Sequence, residues 1–505
     1  MRTSLGVAGA LLPFAVLFSA FLIFKLDALR ASLWAWLVEF VLVLVFYRMT
    51  LLKTLQASLW GNLTMWTGFM VLYTGQIFGQ AYRSTGLLEI LLESIRSMLP
   101  SRDLEGRSVA LVTLVAGFIG AFNGFATYPV TIPGLVDIGF DGVQAVTSYL
   151  VYFSWTLPFN SLFIAPNISY AASHVPIVDI VRVAGLLTIP LVFLSMLGFL
   201  KILGFRFFTW KSQVLFWTTG LANVIAIVLF TQIWPSYYIL MLVGGALISL
   251  ASLYVYGRLA KRRASKDTEP LRPSYSSMSL FKAYAPLLLG VVIVMVTKSP
   301  AVSAWLDHFQ FGVALWGYSR ISINIFTTSG FYIFVTALAC YLFPYKRANA
   351  ARDFVVASKR SGRSIATLCV GSAAVYLMVD SGQIAELGKT LARGGTFVYS
   401  SCYPLVAFLG GMAFGQGLPG DFLFSRMQVS IAPTLGIPLM VLVGIITVVT
   451  MGPPNALKPT QIAFSSSLAN VKGRDGEIFR ICLPWVLLQL VVTAILSVIL
   501  VYWWK

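Results

Sequence analysis

Hydrophobic residues in this chain fill whole runs instead of alternating or marking one stripe. The runs fall near residues 5–24, 31–47, 60–80, 108–122, 124–137, 142–165, 177–200, 213–231, 236–256, 283–297, 323–343, 364–379, 397–414, 422–450 and 479–503. The longer ones reach the roughly 18 residues or more that a helix needs to cross a bilayer. Their number predicts an all-α polytopic membrane protein with about 12–14 transmembrane helices and no sizeable soluble domain. Some runs are half-spans, because helix-breaking residues divide them. The first run follows Arg2 as a signal peptide would. Phe24-Lys25-Leu26-Asp27 makes a poor cleavage site, so the run is taken as the first membrane helix.

Two broken stretches, 117–166 and 410–460, share a layout. The first contains GFIGAFNGFATYPVTIPGLVDIGF and FSWTLPFNSLFIAP; the second contains GGMAFGQGLPGDFLFSRMQ, LGIP and MGPPNALKPT. Each has a Gly/Pro-rich break, a short helix, an Ile-Gly-Phe or Leu-Gly-Ile turn, and a second break with Pro and Asn. Gly139 to Asn160 is 21 residues and Gly436 to Asn455 is 19, so the spacing matches as well as the order. Paired interrupted helices in two halves point to a transporter's binding site. The expectation is two repeats of inverted topology containing broken or re-entrant helices. One half covers 1–256, a basic loop covers 257–282, and the other half covers 283–505.

Between the third and fourth runs, STGLLEILLESIRSMLP repeats leucine and isoleucine at helical spacing and predicts an amphipathic helix at the interface. The loop 257–282 carries Arg258, Lys261, Arg262, Arg263, Lys266, Arg272 and Lys282 against Asp267 and Glu269. The loop 345–363 carries Lys346, Arg347, Arg352, Lys359, Arg360 and Arg363 against Asp353. Two crossings separate them, so both loops fall on one side, which the positive-inside rule makes cytoplasmic.

Composition agrees with the pattern: 11% charged residues is far below the roughly 25% of soluble domains. The net charge of +18 reads as topology signals between apolar runs, not as a nucleic-acid surface. Cys340, Cys369, Cys402 and Cys482 lack metal-ligand spacing and read as small core residues. His174 and His308 stand alone near loops. With no phosphate-binding glycine loop and no paired-acid or Ser/His/Asp arrangement, neither an ATP-driven pump nor an enzyme is supported. No cofactor or metal is called for.

Backbone that leaves its helix at membrane depth is tolerated only where protein or a wet cavity takes up its polar groups. A half-helix starting there points free NH groups and a positive dipole end inward, which suits an anion. The candidate substrate contacts are Asn123, Thr127, Thr131, Ser154 and Asn160 in the first stretch, with Thr156 beside them. In the second they are Gln416, Asn455, Lys458, Thr460 and Gln461. Interhelical packing is the competing role for each hydroxyl and amide. Lys458 follows the Pro-Pro-Asn break, where an ammonium at membrane depth is costly and would neutralise a substrate carboxylate; snorkelling to a headgroup is the alternative. Asp421 is the proton-coupling candidate, with a helix N-cap as its other role. Arg426, five residues on, points to a different face.

These residues resemble the lactate permease family, secondary transporters that move lactate and glycolate with protons. The likeness is clearest in DFLFSRMQVSIAPTLGIP from Asp421, in Lys458-Pro459-Thr460-Gln461, and in SLANVKGRDGEIFR ending at Arg480. Gly124-Phe125, Pro129-Val130 and Ile138-Gly139-Phe140 are similar to the family's Gly-Phe-Gly-x-Pro-Val and Leu-Gly-Phe. Leu157-Pro158-Phe159-Asn160 falls near its Asn-Thr-Ala-Pro-Val. This chain departs at Ile119 to Phe122, where the family has a Glu, at Gly417, where it has Asp, and at Asp421, where it has Asn. The resemblance implies a multi-pass protein of the cytoplasmic membrane moving a small organic monocarboxylate by proton symport. Rival readings are a carrier of a dicarboxylate or sulfonate, with sodium as the coupling ion, and an anion channel.

Overall fold

The computed structural model describes the chain except residues 1–8, 10, 17–18, 21–23, 25, 27, 101, 264–275, 316–317, 319, 414–416, 472 and 505. Half of the 5–24 run and the centre of the basic 257–282 loop therefore lie outside the described residues. Among those described, eight helices are long and apolar enough to cross a membrane. The protein is an all-helical integral membrane protein, apart from a short antiparallel ribbon of Phe311–Val313 and Ile321–Ile323. That ribbon takes the start of the 323–343 run; the helix itself begins at Ser329, capped by Thr328.

Two segments, 51–202 and 350–504, follow one plan. Each opens on a long helix. Leu51–Thr64 and Trp66–Ser84, interrupted only at Met65, lie antiparallel to Ala350–Asp380. Gln80 bonds Asp353 at 2.9 Å near one end, and Asn62 accepts from Ser372 at 2.8 Å nearer the other. A left-handed glycine follows, Gly86 or Gly382, then a short amphipathic helix, Leu87–Met98 or Gln383–Ala392. The first of these lies within the predicted 84–100 segment and buries Leu87, Leu91 and Ile95. Next comes a 19-residue helix in both segments, Leu104–Phe122 or Gly395–Ala413.

Of the two expected forms, broken and re-entrant, both occur. The first break of each stretch is the tip of a re-entrant hairpin and not a kink in one span. Leu104–Phe122 and Tyr128–Ile138 run back along each other, so that a Cβ on Gly134 would stand 2.8 Å from the Leu111 side chain. Gly395–Ala413 and Leu418–Leu435 do the same: Tyr399 donates to Gln428 at 2.6 Å and Thr396 to the Leu435 carbonyl at 3.5 Å. Each hairpin ends at a positive-φ glycine, Gly139 or Gly436. A broken helix follows: Gly142–Phe153, the 3-10 turn Leu157–Phe159, and Asn160–Ser173 in one repeat. In the other it is Leu439–Met451, the turn Pro453–Leu457, and Pro459–Leu468. The single 422–450 run is thus two helices of opposite direction. Each repeat closes on a long helix, Ile177–Ile202 or Asp475–Trp504.

The repeats interlock. Ile177–Ile202 packs on Leu439–Met451, and Asp475–Trp504 packs on Gly142–Phe153, the reciprocal exchange. They are also inverted. The base of the first hairpin lies on the basic face, where Asp103 pairs with Lys211 at 2.6 Å and Lys346 pairs with Glu89. The two basic loops share that face: Lys282 donates to the Pro344 carbonyl. Ala350–Asp380 then carries the chain across, so the second hairpin opens on the opposite face. The broken helices run in opposite directions for the same reason, and the loop after the second brings Arg474 to 3.9 Å from Asp141, where the first begins.

Candidate functional site

Each hairpin tip meets the break of the helix that follows it. In the first repeat Asn123 leaves the helix at φ −153°, ψ 102° and caps the next turn, its Oδ1 accepting from the amides of Phe125 and Ala126 at 3.0 and 3.3 Å. Its Nδ2 donates to the Gly75 carbonyl. Thr127 bonds the Tyr149 hydroxyl, and Thr131 lies one turn further on, fully buried. A Cβ on Gly124 would stand 3.1 Å from Asn160, and the Gly124 amide donates to Ser161 at 3.3 Å, so tip and break touch.

The break itself is strained. Ser161, Leu162 and Phe163 all hold left-handed backbone, with φ of 51°, 51° and 65°. For residues bearing a Cβ this conformation costs roughly 1–2 kcal/mol each, and such outliers cluster at binding sites. Surrounding bonds hold the turn: Ser329 donates to the Leu162 carbonyl at 2.5 Å and Asn167 to the Phe163 carbonyl at 2.7 Å. Thr156 is turned to the Phe153 carbonyl. Ser154 bonds Gln489 at 3.0 Å and Ser195 at 3.2 Å, tying the break to the closing helices of both repeats.

In the second repeat Gln416 lies outside the described residues. Gly417, at φ +80°, brings the tip against the break: a Cβ there would stand 2.9 Å from both Lys458 Nζ and Met451 Sδ. Lys458 is 1% exposed, which excludes snorkelling. Among the described residues no acceptor lies within hydrogen-bond distance of its Nζ and no carboxylate within ion-pair distance. It also stands at the N-terminus of Pro459–Leu468, which has no side-chain cap. An ammonium that is buried and unpaired among the described residues, at a positive helix end, suits an anion by charge and by dipole. Thr460 Oγ1, Gln461 Oε1 and, across the centre, Asn160 Oδ1 are buried without partners among the described residues.

Asp421 is not an N-cap: Leu418–Leu435 starts one turn earlier, capped by Gly417. Its buried carboxylate accepts from Ser169 at 2.9 Å and from Thr450 at 3.2 Å, and Ser169 bonds Thr447 at 2.7 Å. Arg426 is exposed and donates to the Ala172 carbonyl, not to Asp421.

The two breaks cross at the centre. A Cβ on Gly452 would stand 2.7 Å from the Ser154 carbonyl, a distance only glycine allows. Asn455 reaches into the other repeat and donates to the Tyr128 hydroxyl at 2.6 Å, and Tyr128 stands edge-on to Tyr149 at 5.2 Å. The candidates thus form two tip-and-break subsites joined through the chain Thr127, Tyr149, Tyr128 and Asn455. Sequence reasoning missed Tyr128, Tyr149, Ser161, Ser169, Thr447, Thr450 and Gln489. Tyr128, beside Pro129 in the first break, and Ser161, next to Asn160 in the second, carried a usable signal; the others sit in ordinary helical sequence. Among the cysteines, Cys340 and Cys482 are core residues as expected, whereas Cys402 is exposed on the outer side of Gly395–Ala413.

Two inverted repeats, each setting a re-entrant tip against an unwound helix around buried polar groups, define a membrane transporter. The chain belongs to the L-lactate permease family, whose model matches residues 7–504. A curated L-lactate permease of Bacillus subtilis (strain 168) is 22% identical over 553 aligned positions, covering 98% of this chain and 95% of that protein. Among solved structures, the YdaH transporter of Alcanivorax borkumensis, whose topology is described as unusual, aligns with 90% of this chain and 89% of its own. The identity is 15% and the TM-score 0.43.

Proposed function

We propose that this protein carries a small organic monocarboxylate, lactate or glycolate in kind, across the cytoplasmic membrane by proton symport. The observation that carries the reading is Lys458, a buried cation, unpaired among the described residues, between a hairpin tip and a helix N-terminus. A carboxylate there gains a charge-assisted bond. The single positive charge favours one carboxylate over two, because a second would be buried without a partner. Thr460, Gln461 and Asn160 offer unpartnered hydroxyl and amide groups that suit the hydroxyl of a 2-hydroxy acid, and Asn123, Thr127, Thr131, Ser154 and Asn455 are the further candidate contacts of the two tips and breaks. Asp421 is the proton carrier in this proposal; Ser169 and Thr450 donate to its ionised form, and protonation releases them. The halves 1–256 and 283–505 each contribute one tip and one break, and their relative movement gives alternating access.

The test is uptake of labelled lactate into proteoliposomes under an imposed proton gradient, with binding measured separately. Lys458→Ala should weaken lactate binding by about 2–5 kcal/mol, the usual cost of stranding one member of a buried charged pair. That is roughly thirty-fold to several-thousand-fold in Kd. Unchanged affinity removes Lys458 from the site. Uptake driven equally by a sodium gradient removes proton symport.

A further inference from the structure

The groups described so far lie in the hairpins and broken helices, but one buried acid does not. Glu39 belongs to Ala28–Val45, which packs along Ala350–Asp380 outside both repeats. It is fully buried. Its Oε1 accepts from Gln383 Nε2 at 2.7 Å. Its Oε2 and Gln383 Oε1 are also buried, and neither has a hydrogen-bond partner among the described residues. Among the described residues no cation lies within ion-pair distance of the carboxyl. Arg30 and Arg48 on its own segment and Lys53 on Leu51–Thr64 are exposed. Arg352, Lys359, Arg360 and Arg363 of Ala350–Asp380 and Glu386 and Lys389 of Gln383–Ala392 are exposed as well; Asp353 accepts from Gln80, Asp380 accepts from Tyr318, and Tyr47, Cys369 and Tyr376 are the remaining titratable groups.

A carboxylate in this position would be a buried charge with no opposite charge beside it. A neutral carboxyl supplies the one donor that both orphan atoms lack. Glu39 Oε2–H then donates to Gln383 Oε1 while Gln383 Nε2–H donates to Glu39 Oε1, closing a carboxylic acid–amide ring. We propose that Glu39 and Gln383 form a proton-binding site, separate from the substrate site, whose occupancy sets the position of the second hairpin. Gln383 is the first residue of Gln383–Ala392, the helix leading into that hairpin. Gly388 on the same helix presses on the hairpin's return arm, where a Cβ would stand 2.4 Å from Ile431 Cδ1 and 3.0 Å from Met427 Cγ. When Glu39 releases its proton to solvent, one ring bond is lost and two oxygens repel. The helix is pushed from its seat and carries Ile431 with it. The site does not depend on the identity of the transported anion.

Infrared difference spectroscopy of the purified full-length protein across a pH step reads this directly. The wild type should show the C=O band of a neutral, hydrogen-bonded carboxyl, with its D2O shift. Glu39→Gln should lose that band while Asp421→Asn keeps it. Gln383→Leu should move the band to the position of a carboxyl without a partner, a change that loss of packing alone does not produce. In a variant whose native cysteines are replaced, the labelling rate of Thr434→Cys at the mouth of the second hairpin, divided by that of a freely exposed cysteine at the same pH to remove thiolate ionisation, should rise severalfold at alkaline pH, and Glu39→Gln should flatten that ratio. A band indifferent to both Glu39→Gln and Gln383→Leu overturns the proton site. An unchanged labelling profile in Glu39→Gln overturns its link to the hairpin. Should Glu39→Gln fail to fold, the Gln383→Leu band position decides.

Discussion

At the scale of single residues, burial decides what a polar group can do. Lys458 and Asp421 are both buried, yet among the described residues only the Asp421 side chain has partners, which is why we read the first as the anion's counter-charge and the second as the proton's seat. Asp421→Asn should abolish lactate accumulation driven by a proton gradient while leaving lactate–lactate exchange, because the amide neither takes up nor releases a proton. Wild-type uptake should rise as the outside is acidified, and the Asp421→Asn rate should not; a variant that still accumulates lactate against its gradient removes Asp421 from coupling. Tyr128→Phe strands the buried Asn455 Nδ2 donor and should cost about 1–3 kcal/mol of stability, read as a lowered midpoint of thermal unfolding in detergent. Lys458 was legible because a charge within a proline-broken apolar stretch stands out. Ser169 and Thr450 were not, since small hydroxyls occur throughout membrane helices and only the folded chain shows which of them reach a carboxylate.

At the scale of elements, the glycines and prolines told where helices stop but not where the chain goes next. Leu104–Phe122 is long and apolar enough to cross, and only its close antiparallel packing on Tyr128–Ile138, where Gly134 meets Leu111, makes it the arm of a hairpin. The tip depends on close approach. Gly417→Ala adds a Cβ at φ +80° and 2.9 Å from Lys458 Nζ. It should raise the Kd for lactate at least tenfold and lower stability by about 1–2 kcal/mol, measured by binding and by thermal unfolding; full affinity would show that tip and break need not touch. The left-handed turn 161–163 makes the opposite prediction. Ser161→Gly relieves backbone strain and should unfold within about 1 kcal/mol of the wild type, whereas Ser161→Val should be clearly worse. Equal loss in both would mean the Ser161 hydroxyl matters more than its backbone.

At the scale of the whole molecule, the repeats are inverted and exchange contacts, so neither forms its site alone. Asn455 completes the Tyr128 cluster and Ser169 completes the Asp421 cluster, each across the repeat boundary. Inversion has a plain consequence for access. Single cysteines at Gly139 and at Gly436, the ends of the first and second hairpins, should react with a membrane-impermeant maleimide from opposite sides, Gly139 from the side of the basic loops. Labelling of both from one side would contradict the inverted arrangement.

The sequence alone determined that this is a polytopic membrane protein, that two matched stretches interrupt its helices, and that one lysine lies where no ordinary span would keep it. These follow from local rules, since an apolar run, a proline or a buried charge has the same meaning whatever surrounds it. The tertiary structure decided which breaks are hairpin tips, which hydroxyls meet Asp421, and that Asn455, 327 residues away in the chain, belongs to Tyr128. In a chain apolar on nearly every face, hydropathy no longer marks the inside, so the choice of partners falls to close packing and to the pairing of polar groups that lipid cannot satisfy.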